Sequence, residues 1–108
     1  MKAGRIEDFK KGWFIGNFEP SLLKADFEVA IQHYKKGEVH NDHFHKKTTE
    51  YNVVLDGVIK INEQEFVEGD IFIIKPYVVS QASYLTDVRL LVVKTESDPK
   101  DKYEFELI

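Results

Sequence analysis

A chain of 108 residues with 43% hydrophobic and 13% aromatic content has room for one folded domain and is too apolar to stay disordered. Cysteine is absent, which removes disulfides, thiolate metal sites, iron–sulfur clusters and cysteine nucleophiles together. The formal charge is −4 with both signs interspersed, so no basic stripe offers itself to nucleic acid, and the pairs Lys10-Lys11 and Lys46-Lys47 read as solvated surface. No apolar run approaches the roughly 20 residues of a membrane helix. No apolar segment follows Lys2 and Arg5, so no secretory signal is read there, and a cytoplasmic protein without a membrane or nucleic-acid partner is expected.

In chain order, Trp13–Phe18 reads as a short first strand, and Ser21–Asp26 as one helical turn capped by Ser21. Phe27–Tyr34 alternates Phe27, Val29 and Ile31 against Glu28, Ala30 and Gln32, a strand signal ending at Lys35-Lys36-Gly37. The apolar set, with His33 in phase, is expected to face the interior. Tyr51–Leu55 and Val58–Ile61 are strands joined by the Asp56-Gly57 turn, and Asn62-Glu63 turns the chain into Gln64–Val67. Glu68-Gly69 leads to a strand at Asp70–Ile74, which Pro76 ends because it cannot donate to a sheet ladder. Ser80–Leu85 and Val88–Lys94 follow, then a polar segment with Pro99, Glu96–Lys102, read as a surface loop, and a weak edge strand at Tyr103–Leu107. Short strands separated by turns, with almost no 3.6-residue periodicity, predict an all-β sandwich or barrel of a single domain over residues 1–108.

Three of the four histidines, His40, His43 and His45, fall within six residues. His43 and His45 lie two apart, so on a strand both imidazoles share a face and Phe44 takes the other. Glu50 adds a carboxylate where the next strand begins. Two imidazoles and a carboxylate suit a divalent cation of intermediate hardness.

Gly37, His43-Phe44-His45, Glu50 and Gly57 resemble, spacing for spacing, the first motif of the cupin superfamily: Gly, five residues, His-x-His, three or four residues, Glu, six residues, Gly. Gly69-Asp70, the strand Ile71–Ile74 and Pro76 resemble the second motif, with three departures. The Gly-to-Pro interval is one residue longer, Val78 replaces an internal glycine, and Gln81 stands where the motif has its last histidine. The resemblance covers about residues 27 to 93 and implies a small single-domain cupin with a jelly-roll β-barrel. It also implies a divalent transition metal (Fe, Mn, Ni or Zn) held by His43, His45 and Glu50, with Gln81 at the fourth position. Gln81 brings a neutral amide oxygen, a weaker ligand than imidazole. A homodimer is expected from exposed strand edges and from the family's habit of dimerising.

Asn52 shares the inward face of Glu50, where it either meets a substrate or metal-bound water or satisfies a buried backbone group. His33 reads first as a hydrogen-bonded core histidine; were it to lie near the metal, it would replace the missing imidazole and meet substrate. His40 reads as an exposed loop residue. Tyr34, Tyr51, Tyr77 and Tyr84 read as packing or dimer contacts, and Trp13 and Phe14 as a cover for an open barrel end or an interface. No residue is assigned a catalytic role. The expected function is metal-dependent chemistry, of oxygenase or isomerase type, on a small polar molecule. The alternative is a barrel that binds or senses a sugar or organic acid without turnover, and a third reading is a structural barrel with an empty pocket.

Overall fold

The two longest alternating runs, Phe27–Tyr34 and Val88–Thr95, pair along their whole length and form the centre of the molecule. A computed structural model of the chain describes residues 1–105, and among these are ten strands. They are β1 (Trp13–Ile15), β2 (Phe27–Tyr34), β3 (His43–Phe44), β4 (Thr49–Asp56), β5 (Val58–Ile61), β6 (Gln64–Val67), β7 (Ile71–Ile74), β8 (Ala82–Tyr84), β9 (Val88–Thr95) and β10 (Tyr103–Glu104). β1, β2, β9, β4 and β7 make a five-stranded antiparallel sheet in that order. β6, β5 and β8 make a second sheet, and β10 pairs with β3 in a third. All-β architecture is therefore as expected. The three sheets are not joined by ladder bonds into one closed ring: β3 has two paired residues, and Pro76 breaks the chain after β7. A bridge between His43 and Ser80 links the rims instead.

The core lies between the large and the three-stranded sheets. Ala30, Val54, Phe72, Ile74, Val88, Leu90 and Val92 face it from one side, and Ile59 and Tyr84 from the other. Phe66 packs on Phe72 at a ring separation of 4.7 Å, within the 4.5–7 Å range of favourable aromatic pairs. Gly57 makes the β4–β5 turn possible. Its φ of +90° favours glycine, and a Cβ there would lie 2.1 Å from the carbonyl oxygen of Asp87.

The phase of β2 is opposite to the expectation. Glu28 and Ala30 are buried, whereas Phe27 and His33 are exposed and Val29 and Ile31 lie on the outer face with them. Alternation shows which residues share a face; it does not show which face is inside when the interior itself holds charged groups. The expected helical turn at residues 21–26 is absent. Leu23 instead bridges to Ile15, and short 3-10 turns occur earlier, at Ile6–Asp8 and Lys10–Gly12. β10 is shorter than the expected Tyr103–Leu107, whose Glu106 and Leu107 lie outside the described residues. No helix among the described residues is long and apolar enough to cross a membrane.

Candidate metal centre

His43 lies on β3, Glu50 near the start of β4, and His45 in the link between them. The register of β4 against β9 and β7 sets Glu50 opposite Lys94 and Ile74, which turns its carboxylate inward. One ligand atom from each of His43, His45 and Glu50 falls within 4.8 Å of the other two. The structure thus brings together the three residues that the sequence singled out.

The state of His45 follows from its contacts. Its Nδ1 is hydrogen-bonded to the backbone carbonyl of Asp101, and a carbonyl only accepts, so Nδ1 carries the proton. Nε2 then presents a lone pair. It is buried and 3.3 Å from Glu50 Oε2, yet it has no hydrogen-bond partner. A buried acceptor aimed at a carboxylate is unfavourable without a shared cation or proton between them. The donor set and this orphaned nitrogen fit a divalent metal, and a ligand histidine fixed through its other nitrogen is the usual arrangement around one.

Asp101 is the most informative residue that sequence reasoning missed. It belongs to the segment read as a surface loop, but it is 3% exposed. Its carboxylate accepts the backbone N–H groups of Lys46, Lys47 and Thr48 at 2.9, 2.9 and 3.0 Å, clamping the link that carries His45. Burial alone would raise its carboxyl, but the three amides hold it below the usual carboxylate range. From the other side, the backbone N–H of Tyr77 donates to the carbonyl of His45.

Electrostatics keep His43 neutral and Glu50 ionised. Burial, with help from the Lys102 charge, pushes His43 down to about 4, so its imidazole is neutral near neutral pH. Burial alone would raise Glu50, but the adjacent His45 ring and the charge of Lys94 outweigh it and hold the carboxyl low. Asn52 also leans toward Glu50, although its amide nitrogen is buried without a well-formed hydrogen bond. Asn52 sits beneath the triad on the inward face of β4, as expected, and does not line the cavity above it.

Gln81 is not brought to the site. Its side chain is exposed and points to Asp42, with Nε2 3.5 Å from Oδ2. Ser80, Ala82 and Tyr84 take the inward phase around β8, so the odd-numbered positions face out. Of the four residues expected at the site, His43, His45 and Glu50 come together and Gln81 does not. His33 is not among the triad: it is exposed on the outer phase of β2, although it borders the cavity described below. His40 is exposed as expected and paired with Glu38, its ring edge-on to Tyr34 at 5.4 Å. Tyr34 itself stacks on Tyr84 at 4.4 Å, which bears out its packing role.

Beside the triad lies a cavity of about 900 Å³, lined by His43 and Glu50 together with Trp13, Gln32, Tyr34, Lys94 and Lys102. Lys94 was detectable from the sequence, since it continues the inward phase of Val88, Leu90 and Val92.

The antiparallel sandwich is shared with solved structures. An uncharacterised conserved protein with a double-stranded β-helix domain from Klebsiella pneumoniae matches with a TM-score of 0.67 at 21% identity, over 76% of this chain and 72% of that one. A sugar phosphate isomerase from a cupin superfamily of Silicibacter pomeroyi matches with a TM-score of 0.61 at 19% identity, over 78% and 59%. The chain has the cupin fold. A salicylate 1,2-dioxygenase from Pseudoaminobacter salicylatoxidans also matches, with a TM-score of 0.57 at 14% identity, over 65% of this chain and 22% of that one. No protein-family model matches the sequence, and no curated protein matches it. At these identities the cupin likeness carries the fold, while the chemistry rests on the site.

Proposed function

We propose that this cupin-fold domain binds a divalent transition metal (Fe, Mn, Ni or Zn) through His43, His45 and Glu50, and acts there on a small polar molecule by oxygenase- or isomerase-type chemistry. The observation that carries the reading is the buried Nε2 of His45, unpartnered and aimed at the point it shares with Glu50 and His43. Among the structural relatives, one is a sugar phosphate isomerase and one a salicylate dioxygenase, so the fold accommodates both classes. When bound, the cation supplies a Lewis acid, or in the case of iron a redox centre. This chain's residues do the rest: Asp101 holds the His45 tautomer, Glu50 stays charged in a buried setting, and the cavity receives the substrate.

A second reading, a binding or sensing domain for a sugar or organic acid, is favoured by one observation. Gln81 turns away and leaves only three ligands from the chain, which loosens control over the metal. Glu50→Gln and His45→Ala separate the readings. If both abolish ligand binding while the unaltered protein turns over no substrate class tried, the binding role stands.

Metal titration of chelator-treated protein tests the common premise. Uptake near one equivalent is expected, with thermal stabilisation equivalent to about 2.7 kcal/mol at a free metal concentration a hundred times Kd. No uptake of any of the four metals and an unchanged Tm would remove the metal from the proposal. We also infer a weak homodimer through the outer face of the five-stranded sheet, argued below.

A further inference from the structure

Four lysines of the cavity walls, Lys10, Lys11, Lys94 and Lys102, form no ion pair among the described residues, and Lys11 and Lys94 are the two whose charges act on Lys102. The acidic groups around the cavity are engaged: Glu7 pairs with Arg5, Glu19 with Lys24, Glu38 with His40 and Asp98 with Lys47. Asp101 takes three backbone amides, Glu50 belongs to the triad, and buried Glu28 accepts the hydroxyl of Ser97 at 2.9 Å. By contrast Lys11, Lys94 and Lys102 line the same cavity and form no ion pair among the described residues.

Lys94 is the clearest case. In the sheet it stands directly between Glu28 and Glu50, yet its ammonium group makes an ion pair with neither. It lies instead 4.7 Å from the centre of the Trp13 ring, on the cavity side. Burial pushes the Lys102 ammonium down, and the charges of Lys11 and Lys94 push it further down, against the smaller pull of Glu50 and Glu104. In a protein of net charge −4, ammonium groups gathered at one cavity without ion pairs offer an anion donors that no acidic side chain takes up.

We propose that Lys11, Lys94 and Lys102 seat the anionic group, a carboxylate or a phosphate, of the small molecule that enters the metal pocket, with Trp13 forming the wall against its carbon skeleton. This rests on the metal-pocket reading for the rest of the molecule, but the anion seat is made by different residues and can be measured without metal.

Trp13 is the only tryptophan, so its emission reports on this seat directly. Chelator-treated protein is titrated with sodium phosphate and, separately, with sodium succinate, at constant ionic strength. Erythritol serves as the neutral control. Saturable change in Trp13 emission is expected for at least one anion and none for erythritol; the anion with the tighter response identifies the source of the charge. Lys94→Gln/Lys102→Gln should weaken that response at least tenfold, Lys94→Arg should keep it within about threefold, and Lys75→Gln, outside the cavity, should leave it unchanged. Near-ultraviolet circular dichroism confirms that each variant is folded; a variant that loses its fold is replaced by Lys11→Gln/Lys102→Gln. No saturable response to either anion, or an equal response in the folded double variant, overturns the proposal. Metal uptake by the same variants is measured in parallel. Anion binding without metal binding would defeat the metal reading alone, and metal binding without anion binding would defeat this one alone.

Discussion

His45 is oriented by a group 56 residues away in sequence, the carbonyl of Asp101, and this sets the consequences of changing either residue. His45→Ala removes a ligand outright, and metal affinity is expected to fall by at least a hundredfold in competition titrations against a chromogenic chelator. Asp101→Ala leaves the carbonyl in place but frees three backbone amides, that of Thr48 buried and those of Lys46 and Lys47 partly so. It should cost about 2–3 kcal/mol in urea unfolding and weaken metal binding by about tenfold as His45 loses its fixed position. An unchanged affinity in a folded Asp101→Ala protein would show that the clamp is structural only. Tyr34 gives a separate residue-level test. Burial, reinforced by the charge of Glu50, pushes its phenol up to about 12, and Tyr84, stacked on it, is pushed up further. Because the folded value lies above the unfolded one of about 10, the corresponding stability is fully present below pH 10 and is lost as pH rises from 10 through 12. For Tyr34 this amounts to about 2–3 kcal/mol, and Tyr34→Phe should flatten that part of the pH–stability curve in urea melts.

At the scale of elements, the β4–turn–β5 unit joins the sheet that carries Glu50 to the opposite one. Gly57→Ala places a methyl group against the Asp87 carbonyl at a left-handed position. A loss of about 1–3 kcal/mol in chemical denaturation is expected, from strain at φ above zero. Ile59, 1% exposed and paired with both Phe66 and Tyr84, holds the three-stranded sheet to the core. Ile59→Ala should cost about 2–5 kcal/mol in the same measurement. Strand boundaries were readable from alternation and turn residues because both are local: β2, β5 and β6 begin and end where expected. The inward phase of β2 was not, because the polar residues Glu28 and Gln32 share the inward phase of Ala30 and line the cavity.

At the scale of the whole molecule, that reversed phase has a result. On the outside of the five-stranded sheet Val29, Val93, Tyr51 and Ile73 fall in one row across four strands, and Ile31, Leu91, Val53 and Ile71 in the next. Ile71 is 64% and Ile73 54% exposed. At sheet spacings this patch covers on the order of 300 Å², well short of the roughly 800 Å² per partner of a stable interface. A second copy, stacked by a two-fold axis so that each patch covers the other, is the occupant such a flat apolar grid fits. The area limits the pair to weak, concentration-dependent association. Sedimentation between about 5 and 500 μM should show a monomer–dimer equilibrium, and Ile73→Lys should leave monomer throughout. A wild-type protein that stays monomeric at the highest concentration would remove the second copy from this face.

The sequence by itself determined the all-β class, the turns, and the three ligands of the candidate metal site. Those depend on spacing along one short stretch, from Gly37 to Gly57, where a two-residue period puts His43 and His45 on one face. Tertiary structure decided what long-range contacts control. It turned Gln81 outward, left His33 on the outer face of β2, folded Asp101 back over the site, and set Lys102 beside the triad. Each of these depends on which strands neighbour one another and which face closes over the core, and no local pattern encodes that.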